Sequence, residues 1–223
     1  MFTHLPTITP VELRTVEGPA GRFYVTPEGE KYPSITTILG AGGNKEWLTD
    51  WRNSLGVVKA DKETKRAADR GTAVHDMAEK FLNNNTMPTA GHTTDHIAGF
   101  MSLRLHLKKV NNILTQESAL WSDTMRVAGR VDAVGEYKGK LSIIDFKTST
   151  NNKNESMIQD YYLQTTAYAL MFQERYSIQI DNIVILMCVE KGAVPLVFTA
   201  QVEDYIEPLL TRINTYTKIR GAR

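Results

Sequence analysis

Gly129-Arg130-Val131-Asp132-Ala133-Val134-Gly135-Glu136-Tyr137-Lys138-Gly139-Lys140-Leu141-Ser142-Ile143-Ile144-Asp145-Phe146-Lys147 decides how this chain folds. Two strand-forming runs flank Lys138-Gly139, a two-residue turn with glycine at its tip, and so form an antiparallel hairpin. In that register Asp132 faces Asp145. Side chains two apart on a strand share a face, so Asp145 and Lys147 project together while Ile144 and Phe146 point to the opposite, packed side. Like charges directly opposite on a sheet repel, and a divalent cation bound by hard oxygen ligands is their natural counter-ion. Carboxylates holding Mg²⁺ or Mn²⁺, beside an ammonium that orients or deprotonates a water, suit hydrolysis of a phosphodiester. A bare D-x-K tripeptide usually marks a strand-end salt bridge. Gly129-Arg130-Val131-Asp132 at this distance is what lifts it above that base rate.

Outward from the hairpin, helix and strand patterns separate along the chain. On the amino-terminal side, Gly21 to Lys31 reads as a hairpin, and Ser34 caps a short helix over Ser34 to Leu39. Helical periodicity then covers Lys45 to Leu55, Asp61 to Asn83 and Thr94 to Val110. Strand signals begin at Ile113 and continue through Met125 to Tyr137 and Leu141 to Thr148. A helix over Met157 to Arg175 follows, then strands Asn182 to Val189 and Val194 to Gln201 with a turn at Lys191-Gly192, and a last helix over Glu203 to Ile219. This order predicts an α/β fold, a mixed β-sheet flanked by helices with an amino-terminal helical region. Residues 1–223 are expected as one domain: a hairpin plus helical region over 1–112, and a sheet core with flanking helices over 113–223. Both hairpins demand antiparallel pairs, and the helix between them permits a crossover to a parallel strand.

Composition narrows the class. A net charge of +1 excludes a broadly basic shell, so any nucleic-acid contact must come from local patches. The lone Cys188 excludes a disulfide framework and a cysteine-ligated cluster, and reads as a small buried hydrophobe. No stretch has the length of a membrane span, and Met1 to Val11 lacks the pattern of a signal peptide, which leads to the expectation of a cytoplasmic protein.

On the helix over Asp61 to Asn83, Gly71, His75 and Glu79 recur every four residues along one line. The glycine marks close approach of a backbone or ligand, and a histidine near two aspartates suggests a third metal ligand. His75-Asp76-Met77-Ala78-Glu79 is not the H-E-x-x-H signature, which rejects a zinc protease. Gln164 and Tyr168 stand one helical turn apart, placed to meet a phosphate or base together or to pack on the sheet.

Gly71-Thr72-Ala73-Val74-His75, Glu117, Gly129-Arg130-Val131-Asp132, Asp145-Phe146-Lys147 and Gln164 with Tyr168 occur in the order of the RecB-like branch of the PD-(D/E)XK nucleases, which this chain resembles. Tyr32-Pro33-Ser34-Ile35-Thr36-Thr37-Ile38-Leu39 and Trp47-Leu48-Thr49-Asp50-Trp51-Arg52 make it most similar to the mitochondrial genome maintenance exonuclease group and its phage and bacterial relatives. The resemblance implies a restriction-endonuclease-like core. It also implies that His75, Asp132, Asp145 and the Phe146 carbonyl bind the metal, that Lys147 assists the attacking water, and that Gln164 and Tyr168 arrange the site and the nucleic acid. Glu117 fits the acidic residue on the strand before the hairpin. Iron-sulfur members of the family use four cysteines, so that branch is excluded. Gly40-Ala41-Gly42-Gly43-Asn44-Lys45 lacks the ending of a phosphate-binding loop.

For DNA, Lys59, Lys62, Lys65, Arg66 and Arg70 lead along the helix toward His75, or form a solvated face with their acidic neighbours. Arg130 shares a strand face with Asp132. Trp47, Trp51 and Tyr24 either stack bases of a single strand or pack. By analogy to the family, the helical region arches over the site and threads a single strand. The expectation is an Mg²⁺- or Mn²⁺-dependent DNA exonuclease acting on single-stranded DNA or frayed ends in replication, repair or recombination, of bacterial or phage origin. The rivals are a structure-selective endonuclease on the same core and a catalytically silent nucleic-acid-binding or recombination-accessory protein.

Overall fold

The structure, a computed structural model, describes residues 1–42, 46–192 and 194–221, without the side chains of Trp47 and Leu48. The end of the glycine-rich segment, Gly43-Asn44-Lys45, lies outside the described residues, as does Ala193.

Short strands open the chain: β1 (Arg14–Gly18), β2 (Gly21–Val25) and β3 (Lys31–Pro33) form an antiparallel sheet. The expected hairpin is β2 with β3, and β1 is an additional strand. Helix α1 (Ile35–Ala41) starts where the Ser34 hydroxyl accepts the Thr37 N–H at 3.0 Å, the N-cap foreseen from sequence. Then come α2 (Glu46–Leu55), α3 (Val57–Leu82) and α4 (Thr94–Leu107). The last of these stops short of the expected Val110, because Val110 already pairs with Tyr137 across the sheet.

The main sheet and its helices follow as β4 (Val110–Ser122), β5 (Val127–Tyr137), β6 (Lys140–Ser149), α5 (Gln159–Tyr176), β7 (Asn182–Val189), β8 (Leu196–Gln201) and α6 (Glu203–Gly221). Its strand order is β4-β5-β6-β7-β8, with β6 and β7 parallel and every other pair antiparallel. The Lys138-Gly139 turn closes the central hairpin with both residues left-handed, at φ 51° and 79°, as a type I′ turn requires. The parallel crossover is made by α5.

Strand alternation sends side chains into two cores. From β7, Ile183, Ile185 and Met187 pack with β6 Ile143 beneath α1, α5 and α6, while Val184, Leu186 and Cys188 pack with Ile144 and Phe146 beneath α3 and α4. Covered on both faces, β7 is apolar from Ile183 to Val189, the composition of a buried parallel strand. Asp145 and Lys147 share the parity of Ile143 and therefore project toward α5, as expected. No helix among the described residues is long and apolar enough to cross a membrane.

The β4–β5 turn is tied to α5 by one carboxylate. Glu174 accepts the Ser122 hydroxyl at 2.5 Å and the Asp123 N–H at 2.8 Å, and pairs with Arg175 at 2.8 Å. Burial alone would raise its pKa, but these donors hold it below the usual 4.5. Its stabilisation is then complete above the unfolded value and fades as pH falls through the lower folded one. Glu174→Gln should cost about 1–3 kcal/mol in urea unfolding near pH 7. That difference from wild type should shrink steadily once the pH drops below 4.5.

Candidate active site

Three acids lie in one row across three neighbouring strands. The β5–β6 ladder runs from Tyr137–Lys140 to Ala133–Ile144, and the next step would set Asp132 against Asp145. Backbone pairing stops there, and the Phe146 N–H on β6 donates instead to Asp132 Oδ2 at 2.7 Å. On the other side of β5, the pairs Gln116–Ala133 and Ser118–Val131 bracket Glu117 and Asp132. Glu117 sits at φ 46°, a left-handed conformation uncommon for a residue with a side chain and costly within a strand.

Helix α3 brings His75 onto this row. Its Nδ1 lies 3.5 Å from Asp132 Oδ1, and its ring meets the Phe146 ring edge-on at 5.9 Å. One ligand atom each from His75, Glu117 and Asp132 falls within 4.8 Å of the others. Asp145 faces a different group: Lys147 Nζ stands 2.8 Å from its Oδ1 and 2.6 Å from its Oδ2, and Gln164 Nε2 donates to Oδ1 at 3.3 Å. Only the first lysine contact has hydrogen-bond geometry, so the fully buried Oδ2 is ion-paired yet receives no hydrogen bond. Gln164 also donates to the Tyr168 hydroxyl at 3.0 Å, and Lys147 lies over the Tyr161 ring at 5.1 Å.

Burying four charges together splits their protonation. For Asp145, burial and the nearby Asp132 outweigh Lys147 and push the pKa up to about 6. For Asp132, burial is outweighed by His75, Lys147 and the Phe146 N–H, and the pKa falls below the usual carboxylate value. Burial would lower His75, but Asp132 reverses the sign and carries it to about 9. Lys147 is raised for the same reason, with Asp145 and Asp132 overcoming burial. Glu117 is pushed up to about 7 by burial and by Asp132. The repulsion anticipated from sequence is thus met within the chain, by Lys147 for Asp145 and His75 for Asp132.

The donor set also fits a hard divalent cation. It offers the His75 imidazole with the Glu117 and Asp132 carboxylates converging within reach of one ion, while Asp145, whose Oδ2 lacks a hydrogen-bond donor, stands outside that cluster beside Lys147.

The residues expected to contact nucleic acid divide sharply. Gln164 and Tyr168 are buried behind Asp145, bonded to each other. Arg66 is held by Glu63 and Glu190, and the buried Arg70 by Glu190 and the Thr150 hydroxyl. Arg130 stands 3.4 Å from Glu12 on the surface. Tyr24 is 3% exposed, enclosed by Leu13, Tyr32 and Trp121, so it packs and cannot stack a base. Trp51 is half-buried, and the Trp47 side chain lies outside the described residues. At Gly71 an added Cβ would meet nothing nearer than Thr148 Oγ1 at 3.7 Å, so no backbone approach demands that glycine. Gly71, His75 and Glu79 instead line a cavity of about 510 Å³ with Thr72, Asp76, Glu117 and Arg22. Nothing in the local sequence around Arg22 marks it for this place; only the long-range fold does.

Comparison with known proteins agrees with the fold. A model of the PD-(D/E)XK nuclease superfamily matches residues 92–189, the stretch that holds Glu117, Asp132, Asp145, Lys147, Gln164 and Tyr168. Proteins named mitochondrial genome maintenance exonuclease 1 are 28% identical to the chain in human, over 83% of the chain and 58% of the relative. In mouse the figures are 28%, over 72% and 51%. The frog Xenopus tropicalis relative is 32% identical over 43% of the chain and 28% of its own length. The chain spans about half the length of the human and mouse relatives.

Gly129 shows how tightly the row is backed. A Cβ there would lie 2.6 Å from Tyr168 Cε1, so only glycine lets the ring reach its place beside Gln164. Gly129→Ala should destabilise the fold by about 1–3 kcal/mol through overpacking. Combined with Tyr168→Ala, which removes the clash, it should cost clearly less than the sum of the single changes, measured by a double-mutant cycle in denaturant.

Proposed function

From the premise of a nuclease with a PD-(D/E)XK core, we propose that this protein is a metal-dependent DNA exonuclease that hydrolyses phosphodiester bonds on single-stranded DNA or frayed ends. The carrying observation is the row Glu117–Asp132–Asp145 with His75 on one side and Lys147 on the other. His75, Glu117 and Asp132, whose ligand atoms converge, would hold Mg²⁺ or Mn²⁺, with Asp145, held by Lys147, and the Phe146 carbonyl completing the set that the family resemblance implies. A bound ion of this kind neutralises charge on the phosphoryl oxygens and lowers the pKa of its water.

The chain's own groups do the rest. Lys147, an ammonium fixed on Asp145, orients the attacking water and offsets negative charge as it builds on the phosphoryl group. Gln164 holds Asp145 through its amide and is itself held by Tyr168, so the carboxylate keeps its direction when a substrate enters. The Phe146 ring meets the His75 ring edge-on and packs apolar surface beneath it, which supports the imidazole beside Asp132. The names of the relatives support exonuclease action, and single-strand preference with a role in replication, repair or recombination is part of the proposal.

End-labelled linear DNA incubated with Mg²⁺ or Mn²⁺ tests this directly. Wild type should release nucleotides from linear substrates and spare circular single strands, and Asp145→Asn or Lys147→Ala should each lower the rate by about 10²–10³-fold. Undiminished digestion by either variant overturns the assignment, and equal cutting of circles redirects it to an endonuclease.

A further inference from the structure

Arg22 shares the walls of the 510 Å³ cavity with His75 and Glu117, although it comes from the small amino-terminal sheet and lies outside the residues that match the nuclease family. Its backbone is fixed at both ends. The Arg22 N–H donates to Thr37 Oγ1 at 3.0 Å, and its carbonyl accepts the Ser34 N–H at 2.8 Å and the Thr37 hydroxyl at 3.2 Å. Just before it, Gly21 is at φ 105°, where a Cβ would fall 2.5 Å from Thr37 Oγ1. Ser34 in turn bridges to Ala128 on β5, the strand that carries Asp132. The Ser34–Thr37 turn has no part in the hydrolytic chemistry, yet it sets Arg22 in a fixed relation to the acid row.

Charge gives this placement a purpose. The other ionisable groups lining the cavity are Asp76, Glu79, Glu117 and His75, so Arg22 is the one guanidinium among its described lining residues. A phosphate backbone approaching those carboxylates is repelled except where a cation receives it. The present partner of Arg22 is Glu17, 2.6 Å away, and both side chains are more than half exposed. Exposed pairs of this kind contribute little and exchange readily. Arg70, by contrast, is buried on Glu190, which also holds Arg66.

We propose that Arg22 is a phosphate-binding residue of this site. Its guanidinium forks onto the non-bridging oxygens of a phosphodiester flanking the one that is cleaved, and Glu17 is the carboxylate it gives up to do so. The proposal rests on the nuclease reading above.

Anisotropy of a fluorescein-labelled oligothymidylate, titrated in chelator across a salt series, reads the contact apart from catalysis. Loss of one phosphate contact should lower the slope of log K against log salt by about 0.7 in Arg22→Gln. Affinity at low salt should fall roughly 5- to 100-fold, with Arg22→Lys recovering part of it, as expected for a charge-assisted bond. Glu17→Gln, which removes only the competing carboxylate, should bind several-fold tighter, as a rough estimate from losing a surface ion pair. Thr37→Val should weaken binding in the wild-type background and change nothing further in Arg22→Gln. If wild type binds and degrades DNA while Arg22→Gln keeps its slope and affinity, the role of Arg22 is overturned and the nuclease reading stands. If wild type neither binds nor degrades DNA, both fall together.

Discussion

The Asp132 carboxylate occupies a place that a backbone carbonyl would fill in an uninterrupted sheet, and the organisation of the molecule follows from it. By accepting the Phe146 N–H it keeps a buried donor satisfied where the β5–β6 ladder ends. The same substitution sets a negative charge in the middle of the sheet, one register step from Asp145. Buried charge is tolerated only when paired and hydrogen-bonded. Helix α3 must therefore deliver His75 to Asp132, and Lys147 must fold back on Asp145. Breaking either pair leaves an uncompensated charge inside the protein.

The compensation is divided between the two faces of the sheet. On the α5 side, Asp145, Lys147, Gln164 and Tyr168 form one hydrogen-bonded chain, and Gly129 opens the space the tyrosine needs. On the α3 side, His75 and Glu117 converge on Asp132. Asp132 belongs to both, since one of its oxygens bonds to the β6 backbone and the other faces the imidazole. The two aspartates are consequently unlike in spite of their symmetry in the hairpin. One keeps its charge beside His75, and the other carries the cost of the shared burial, with its pKa near 6. Carboxylates driven apart in this way are a recurrent mark of hydrolytic sites.

Much of this was legible in sequence because it depends on local rules. A glycine turn fixes a register, strand alternation fixes a face, and a serine three residues before a free N–H fixes a helix start. Those rules place Asp132, Asp145 and Lys147 on one hairpin and permit the parallel crossover that α5 makes. Where sequence reading fell short, the missing information was long-range. The burial of Tyr24 depends on Trp121 and Leu13, and the helix ending at Leu107 instead of Val110 depends on Tyr137 across the sheet. The fates of Arg66 and Arg70 are set by Glu190 at the far end of β7, which no periodicity in α3 could announce. Glu117 was visible as an acid on the right strand. Its left-handed backbone, which accompanies its convergence with His75, was not.

The placement of groups also separates two tasks along the chain. The strands and helix within residues 92–189, which match the nuclease superfamily, carry the three acids of the row and Lys147. His75 and Arg22 come from the part before it, on α3 and on the amino-terminal sheet. A histidine held by a neighbouring aspartate depends on how α3 sits against the sheet, and an arginine held by the Ser34–Thr37 turn depends on how α1 meets β5. Small changes in the packing of the amino-terminal half would therefore move His75 and Arg22 without touching the three acids of the row. The acid row is carried by the hairpin and the strand beside it, whereas the cavity next to it is completed by the elements laid over the sheet.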